Sequence, residues 1–401
     1  MKRLMVLGGS RYILPVIDAA HRLGCHVITC DYLPDSIAHK FSDEYANVSI
    51  IDKEAVLRVA QHLKIDGIMS FACDPGVVTA AYVAEQMGLP SVGSYEAVSI
   101  LQNKGRFRTF LSEHGFNVPT AKGYISIDEA LKDSTMFHWP VVVKPADSAG
   151  SKGVSKVENP DGLRKSIDYA LSFSHCEEFV MEDYLQQVGC SSDTDSFSVD
   201  GEIKFVSFDR QWFDKNAENP YTPAAYSWPA SISDKHQSEL TSEIQRLIAL
   251  LGLKSSIYNI ETRECVDGKA YIMEFSPRGG GNRLAEMLRF ATGVDLISNS
   301  VRAAIGEPCI GVEQRPYNGA WAEIILHSDK PGVFKELWIS DKIEMNIIER
   351  DLWIETGSMV GGFSAANKAI GTLVLRFETQ EQIDEVLLNQ DKYIEVRVKN
   401  Q

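Results

Sequence analysis

The chain reads Tyr271-Ile-Met-Glu274-Phe-Ser276-Pro-Arg278 after a second β-rich segment that contains Asn259-Ile-Glu261. Both segments are largely apolar, and Val266-Asp-Gly-Lys269 connects them. Asp-Gly between two such segments is a strong signal for a β-hairpin. The hairpin would place Glu261 and Glu274 side by side on paired strands, where the two side chains can reach each other.

Two adjacent carboxylates repel each other and raise each other's pKa unless a positive charge lies between them. Mg²⁺ suits that position, because it takes a few carboxylate oxygens and completes its octahedron with phosphate and water. Arg278 offers a planar guanidinium for a carboxylate or a phosphate. The alternative is an edge hairpin whose polar face carries two glutamates, and features elsewhere in the chain argue against it.

Length and composition limit the number of structural units and the classes of partner. A chain of 401 residues suggests two to four structural units. The net charge of −15 disfavours nucleic acid and anionic membranes as partners, although a local basic cluster can still bind a small anion. The seven cysteines form no C-x-x-C pair, which is typical of reduced thiols in the cytoplasm. No window has the ~18 consecutive apolar residues that a membrane span needs.

Residues 1 to about 95 alternate short strands with helices, which predicts a parallel sheet covered on both faces. Gly8-Gly9-Ser10 after the first strand carries only part of a dinucleotide-binding fingerprint. A dinucleotide-dependent oxidoreductase is therefore an alternative, supported further only by Asp31 at the end of the second strand. Its weakness is that this part is half the size of a dinucleotide fold.

Three further segments suggest phosphate binding. Lys144 ends the apolar strand Pro140-Val-Val-Val-Lys144, and a buried ammonium needs a partner such as phosphate. The segment Ser148–Gly153 has small residues and a lysine that can surround a polyphosphate. A second lysine, Lys104, precedes a predicted helix. Residues 211–230 are predicted to be a long aromatic loop that lines an acceptor pocket or serves packing alone.

The order of these segments resembles the ATP-grasp superfamily over nearly the full length of the chain. No one motif is specific, but six in the correct order form a strong signal. They are Asn103-Lys104-Gly105-Arg106, Pro140-Val-Val-Val-Lys144-Pro145, Ser148-Ala-Gly-Ser-Lys-Gly153, Glu178-Phe-Val-Met-Glu182-Asp-Tyr-Leu185, Asn259-Ile-Glu261 and Met273-Glu274-Phe-Ser276-Pro-Arg278.

The resemblance implies an α/β fold in three parts. Residues 1–95 would form a Rossmann-like domain with a parallel sheet. Residues 96–310 would form the ATP-grasp domain, with a lid subdomain at about 115–185 and the nucleotide between two subdomains. Residues 311–401 would form a small β-rich part.

The resemblance also implies roles for individual residues. Lys144 and Arg278 would be catalytic, and Glu261, Glu274 and Ser276 would hold Mg²⁺, with Mn²⁺ as a substitute. ATP would contact Lys104, Lys144, Ser148, Gly150, Ser151, Lys152, Gly153, Glu178, Met181, Glu182, Tyr184 and Leu185. The second substrate would contact Arg278, Gly280, Gly281, Asn282 and Arg283. Independently of the resemblance, the residue types predict that Asn282 is also the N-cap of the helix that follows.

Two positions depart from the family pattern. Ser276 stands where many members have an asparagine metal ligand, so either its hydroxyl substitutes or the second metal is held less tightly. The acidic residue expected to bind ribose is not clearly aligned. Asp193 and Asp195 are the two candidates, and the sequence does not choose between them.

The function implied is an ATP-dependent ligase that joins a carboxylate to an amine through an acyl-phosphate and releases ADP and phosphate. Its partners would be small molecules, an amino acid or a related metabolite, as in the L-amino-acid ligase branch. The alternatives are an ATP-grasp carboxylase, a carbamoyl-phosphate-synthase-like enzyme and a non-catalytic ATP-binding protein. A cytoplasmic location is expected, and homodimers are common among similar proteins.

Overall fold

The predicted N-terminal parallel sheet is present in the computed structural model, which describes residues 1–148, 150 and 152–399. Its strands lie in the order β3-β2-β1-β4, and all pairs are parallel. This part contains β1 (Arg3–Leu7), α1 (Leu14–Arg22), β2 (His26–Asp31), β3 (Glu44–Asn47), α2 (Lys53–Leu63), β4 (Gly67–Ser70) and α3 (Asp74–Met87). Helices on both faces bury the central strands, which therefore have continuous apolar sequences.

Two capped helices lead into the next sheet. They are α4 (Tyr95–Gln102) and α5 (Lys104–Glu113). The Asn103 side chain accepts a hydrogen bond from the Arg106 N–H at 3.0 Å, which caps α5 and fixes Lys104 as its first residue. An antiparallel sheet of order β5-β8-β6-β7 follows. Its elements are β5 (Ala121–Tyr124), α6 (Ile127–Lys132), β6 (Val141–Pro145), β7 (Ser155–Val157), α7 (Leu163–Leu171) and β8 (Phe179–Asp183).

The central part carries the predicted hairpin within a sheet of order β10-β9-β13-β14. Its elements are β9 (Ser192–Val199), β10 (Glu202–Phe205), β11 (Arg210–Phe213), β12 (Pro223–Trp228), α8 (Asp234–Leu250), β13 (Ser256–Glu264), β14 (Ala270–Ser276), α9 (Leu284–Thr292) and α10 (Leu296–Ala304). An apolar face of α8 packs against this sheet through Leu240, Ile244 and Leu247.

The C-terminal part is rich in β-strands, as predicted. It contains β15 (Ala320–Leu326), β16 (Gly332–Ile339), β17 (Ile347–Leu352), β18 (Met359–Val360), β19 (Gly371–Phe377), α11 (Gln380–Leu388) and β20 (Ile394–Lys399). One sheet has the order β11-β12-β15-β19-β17, and a smaller one has the order β18-β16-β20. The first sheet therefore joins strands from both sides of residue 310. Among the described residues, no helix combines the length and the apolar character that crossing a membrane requires.

The prediction of a continuous loop over residues 211–230 is wrong, because β11 and the buried β12 lie within it. Pro223 is the first residue of β12, a position where a strand tolerates a missing N–H. The five following residues are buried, so the strand lacks the polar and apolar alternation that would have revealed it. The correction places Tyr226 on a strand rather than on a loop.

Candidate functional site

One face of the sheet β10-β9-β13-β14 carries two rows of polar side chains. Residues directly opposite each other on antiparallel strands project from the same face, and so do residues two apart along a strand. The register therefore brings together two rows, Asp193–Glu261–Glu274 and Asp195–Asn259–Ser276. Four carboxylates, an amide and a hydroxyl offer the hard oxygen ligands that Mg²⁺ prefers.

The hairpin pairs Glu261 directly with Glu274. Gly268 in the turn has φ of +77°, a conformation that favours glycine, which explains the Asp-Gly sequence there. A register shift directly after Glu261 disturbs the ladder beside the two carboxylates. The Glu261 carboxylate accepts a hydrogen bond of 2.7 Å from Nη2 of Arg263, a residue that the sequence did not single out.

Lys104 joins this face to the glycine-rich segment. Its Nζ lies 3.2 Å from Oε1 of Glu274 and donates a 2.9 Å hydrogen bond to the Ser148 carbonyl. Loss of surrounding water disfavours the charged form of Glu274. The ammonium groups of Lys104 and Lys144 outweigh this effect and hold the pKa of the Glu274 carboxyl below its usual value. Lys104, Ser148, Glu274 and Ser276 line one cleft with an empty volume of about 400 Å³.

Lys144 and Glu182 form a buried ion pair, to which Arg108 adds a second cation. Lys144 Nζ lies 2.6 Å from Oε1 of Glu182, and Arg108 Nε donates to Oε2 at 2.8 Å. Burial lowers the pKa of Lys144, and the Glu182 charge opposes that effect. Burial disfavours a charged Glu182, but Arg108 and Lys144 outweigh it and lower the pKa of Glu182 to about 2. The sequence predicted neither the pair nor Arg108.

Other residues predicted to contact ATP belong to the glycine-rich segment 148–153. Gly150 and Gly153 have φ of +69° and +73°, and a Cβ on Gly153 would lie 2.8 Å from Pro145 Cγ. Lys152 is exposed, and Ser151 lies outside the described residues.

The predicted hinge continues from β8. Glu178 accepts a hydrogen bond of 3.0 Å from the Asn103 amide, and Met181 is buried on β8. The Tyr184 N–H donates to the Pro140 carbonyl at 3.0 Å, and Leu185 packs beside Met273. The main chain of residues 181–185 thus runs past the buried Glu182 pair.

Arg278 is held by a residue from the N-terminal sheet domain. Its Nε and Nη2 donate to the two oxygens of Asp74, the first residue of α3, at 2.9 and 2.7 Å. Its Nη1 donates to Asn259 Oδ1 at 3.0 Å. Although burial opposes it, the Arg278 charge holds the pKa of Asp74 below its usual value. Sequence reasoning missed Asp74, since nothing in Cys73-Asp-Pro marks a contact made 204 residues later.

Ser276 lies in the same network. Its hydroxyl donates to Asp74 Oδ1 at 2.8 Å and accepts from the Gln102 amide at 2.9 Å. An oxygen that accepts from an amide and donates to a carboxylate still has a lone pair. The Ser276 hydroxyl can therefore bind a metal through this lone pair while it keeps both hydrogen bonds.

The glycine-rich segment after Arg278 crosses the polar face closely. The Gly280 N–H donates to Asp195 Oδ1 at 2.8 Å, and a Cβ there would lie 2.9 Å from the Asn259 amide nitrogen. Only glycine allows this approach. Asn282 and Arg283 both have positive φ, +49° and +61°.

The prediction that Asn282 caps α9 is wrong. Arg283 occupies the N-cap position, without a side-chain cap hydrogen bond. Asn282 accepts from the Tyr12 hydroxyl at 3.0 Å and donates to the Tyr226 hydroxyl at 3.1 Å. Its side chain is therefore used to join three parts of the chain, the N-terminal domain, β12 and the glycine-rich segment.

The two ribose candidates lie on β9 beside the hairpin. Asp193 is opposite Glu261, and burial together with the Glu261 charge raises its pKa to about 7. Asp195 is opposite Asn259, and burial raises its pKa to about 7 against the opposing Gly280 hydrogen bond. Asp195 is fully buried, whereas Asp193 is partly accessible, so Asp193 is the more available of the two.

A second group with metal-ligand chemistry comprises Asp214, His327 and Asp329. His327 Nδ1 lies 2.6 Å from the Ile325 carbonyl, and its Nε2 lies 3.1 Å from Asp214. A hydrogen bond from His327 lowers the pKa of Asp214, as expected for an ion pair. The sequence did not predict this group.

Comparison with known proteins gives the site its context. Residues 137–286 match the ATP-grasp domain family, a range that includes Lys144, Glu261, Glu274 and Arg278. The chain therefore carries an ATP-grasp domain. This match and the α/β fold confirm the predicted resemblance to the ATP-grasp superfamily.

Two relatives of this ATP-grasp chain carry the same name, formate-dependent phosphoribosylglycinamide formyltransferase. That of Synechococcus sp. (strain WH7803) is 26% identical over 344 residues, which cover 82% of each chain. That of Prochlorococcus marinus (strain MIT 9313) is 30% identical over 187 residues, 46% of this chain and 48% of the relative. The second match therefore spans about half the length of that relative.

A solved structure shares the complete fold. The L-amino acid ligase from Bacillus licheniformis superposes with a TM-score of 0.80 at 18% identity, over 100% of this chain and 99% of its own. At that identity the likeness concerns the fold alone. The arrangement of all three parts of the ATP-grasp chain is thus a known architecture.

Proposed function

We propose that this protein is a Mg²⁺- and ATP-dependent ligase that joins a small carboxylate to an amine and releases ADP and phosphate. The observation that carries the proposal is the position of Lys104, whose ammonium group lies between the Glu274 carboxylate and the Ser148 carbonyl. This cation lies where the glycine-rich segment meets the paired carboxylates. A nucleoside triphosphate with its metal needs both groups.

The residues fit ATP and Mg²⁺ by their chemistry. Glu261 and Glu274 supply hard oxygens on adjacent strands, with Ser276 beside them. Lys104 and Lys144 supply cations for phosphate oxygens, while Gly150 and Gly153 allow the backbone N–H groups of their segment to turn toward a phosphate. When bound, MgATP supplies the phosphoryl group that activates the carboxylate.

The nucleotide base would lie along the main chain of residues 181–185, between the two subdomains. The Glu182 side chain would not contact the base itself, because Lys144 and Arg108 occupy both of its oxygens. It holds the Lys144 ammonium group in place until a phosphate is present. Glu178, Tyr184 and Leu185 complete this side of the site.

Arg278 would bind the carboxylate that is activated and stabilise the charge that develops on its oxygens. Asp74 and Asn259 fix its guanidinium on three nitrogens, so no reorganisation is needed when the substrate arrives. The amine would approach past Gly280, Gly281 and Asn282. Positioning and charge neutralisation, rather than a covalent enzyme intermediate, then account for catalysis.

The test is release of ADP by the purified protein with MgATP and pooled carboxylic acids and amines, singly and in pairs. Formate with phosphoribosylglycinamide belongs in the panel, since these are the compounds in the name of the relatives. ADP formed only when an acid and an amine are both present supports the ligase. Formation of AMP and pyrophosphate contradicts the acyl-phosphate route.

A matched pair of variants ties that activity to the site. Glu274→Gln removes one metal-binding charge and is expected to abolish turnover. Glu313→Gln changes an exposed glutamate that forms an ion pair with its neighbour Arg315, and it should leave turnover unchanged. If Glu274→Gln retains the wild-type rate, the hairpin carboxylates do not hold a required metal.

A further inference from the structure

A buried carboxylate without a partner lies next to the glycine-rich segment. Glu323 on β15 is 0% exposed, and neither of its oxygens has a hydrogen-bond partner in the described structure. An unpartnered buried polar group is costly and requires an explanation. Glu323 is directly opposite Tyr226 on β12, so both side chains project from the same face of the sheet.

The surroundings of Glu323 carry an excess of negative charge. Arg283 contacts Glu286 at 3.0 Å, makes an ion pair with Glu349 and lies 4.0 Å from Asp351. The same guanidinium attracts Glu323. Two other arginines are near: Arg289 attracts Glu286 more weakly, and Arg11 lies over the Trp353 ring. One guanidinium therefore contacts three carboxylates and attracts a fourth, Glu323, without contacting it.

This acidic cluster, Arg283 with Glu286, Glu323, Glu349 and Asp351, is connected to the proposed reaction site. Asn282, four residues after Arg278, joins the Tyr226 hydroxyl to the Tyr12 hydroxyl. The side chains of Glu349 and Asp351 are 34% and 43% exposed, so the cluster reaches solvent on that side while Glu323 is enclosed. A substrate that extends from Arg278 past Asn282 would meet the cluster.

We propose that the acidic cluster binds a cationic group of the substrate, an ammonium or a guanidinium, with Glu323 as its principal partner. The inference rests on the proposed ligase function and narrows its substrate to a phosphate-free amine. The opposite choice, a phosphorylated amine such as the one in the relatives' name, would place two negative charges beside Glu286, Glu349 and Asp351, which share the single Arg283.

The protonation of Glu323 gives the proposal a specific signature. Burial raises the pKa of Glu323 well above its usual value, against the opposing attraction of Arg283. Burial therefore favours the protonated form of the Glu323 carboxyl group when no cation is bound. Binding of an ammonium ion favours the carboxylate, so the proton leaves to solvent and an N–H···O bond with full charges forms.

The experiment is titration calorimetry of the intact protein with L-lysine, L-arginine, putrescine and the uncharged analogue L-norleucine, in two buffers of different ionisation enthalpy. At least one cationic probe should bind about tenfold or more tightly than norleucine, with proton release. Glu323→Gln should lose both the preference and the proton release while its affinity for MgATP is unchanged. Glu313→Gln should behave as wild type.

If Glu323→Gln does not fold, Glu349→Gln, at a half-buried position of the same cluster, should weaken the preference for the cationic probes over norleucine. Binding of ribose 5-phosphate in preference to the cationic probes would overturn the proposal. So would norleucine binding as tightly as lysine, or no binding of any cationic probe by a protein that binds MgATP. Failure of the ligase function itself shows separately, as the absence of ADP from every acid and amine pair.

Discussion

Replacing Glu182 by glutamine should destabilise the protein strongly, because Glu182 is the shared counter-charge of two buried cations. Its side chain is 3% exposed, and those of Lys144 and Arg108 are 9% and 2% exposed. Glutamine has nearly the same shape but no charge. Lys144 and Arg108 would then face each other in the interior without compensation.

The magnitude follows from the pKa of Glu182 and from measured behaviour of buried pairs. Lowering the pKa from 4.5 to about 2 corresponds to a stabilisation of about 3 kcal/mol at neutral pH. Breaking a buried pair by removing one partner costs about 3–5 kcal/mol in other proteins. For a cooperative unit of about 150–250 residues, about 3 kcal/mol lowers Tm by roughly 6–12 °C.

The pH dependence has a definite sign. Glu182 has a lowered pKa in the folded state, so its contribution is complete above pH 4.5 and is lost as the pH falls towards about 2. Glutamine does not titrate. The difference in unfolding free energy between wild type and Glu182→Gln should therefore be constant from about pH 7 to 5 and should narrow at about pH 3.5.

Urea unfolding followed by circular dichroism at these three pH values measures the difference. Glu178→Gln is the matched control, since Glu178 lies near the start of the same strand and accepts from the neutral Asn103 amide. The control should cost about 1 kcal/mol or less. A Glu182→Gln protein within 1 kcal/mol of wild type at neutral pH, or a difference that widens in acid, would refute the reasoning.

Three further predictions concern the site. Asp74→Asn should lower kcat/KM for the carboxylate about 10- to 100-fold with little change in the KM for ATP, because it weakens two charged hydrogen bonds that position Arg278. Steady-state kinetics measures both constants, and an equal loss for the two substrates would contradict this role. Gly153→Ala should weaken ATP binding by calorimetry more than Gly150→Ala, because both positions have positive φ but only a Cβ on Gly153 meets Pro145; equal effects would contradict the steric argument. Glu261→Gln should raise the Mg²⁺ concentration needed for half-maximal rate at least about tenfold, whereas an unchanged requirement would remove this residue from the metal site.

Local signals predicted the hairpin and the N-terminal parallel sheet because they arise from neighbouring residues. Asp267-Gly268 marks the turn of the hairpin and sets Thr262 opposite Ile272, whereas the pairing of Glu261 with Glu274 also depends on the register shift after Glu261, which the sequence did not reveal. The strand β12 was missed because burial removes the alternation on which strand prediction depends. The assignment of β11 and β12 to a sheet with C-terminal strands needs contacts across about 100 residues, which no local pattern contains.

The residues of the candidate site also fall into those that the sequence predicted and those that it did not. The charged residues of the motifs could be recognised in order, but their counter-charges could not. Asp74 reaches Arg278 from another domain, and Glu323 lies in a strand whose other residues are apolar. Arg108 offered one weak signal, a basic residue between Phe107 and Leu111 on the buried face of α5. Pairings of this kind depend on tertiary packing rather than on sequence neighbours.

The central claim, activation of a carboxylate by phosphoryl transfer, is tested most directly by isotope transfer. For an acid and amine pair that yields ADP, both carboxylate oxygens of the acid are labelled with ¹⁸O. Mass spectrometry then measures the ¹⁸O content of the phosphate that is released. The acyl-phosphate route predicts one ¹⁸O atom in each phosphate. Unlabelled phosphate, or no ADP from any pair with a protein that binds MgATP, would contradict the account.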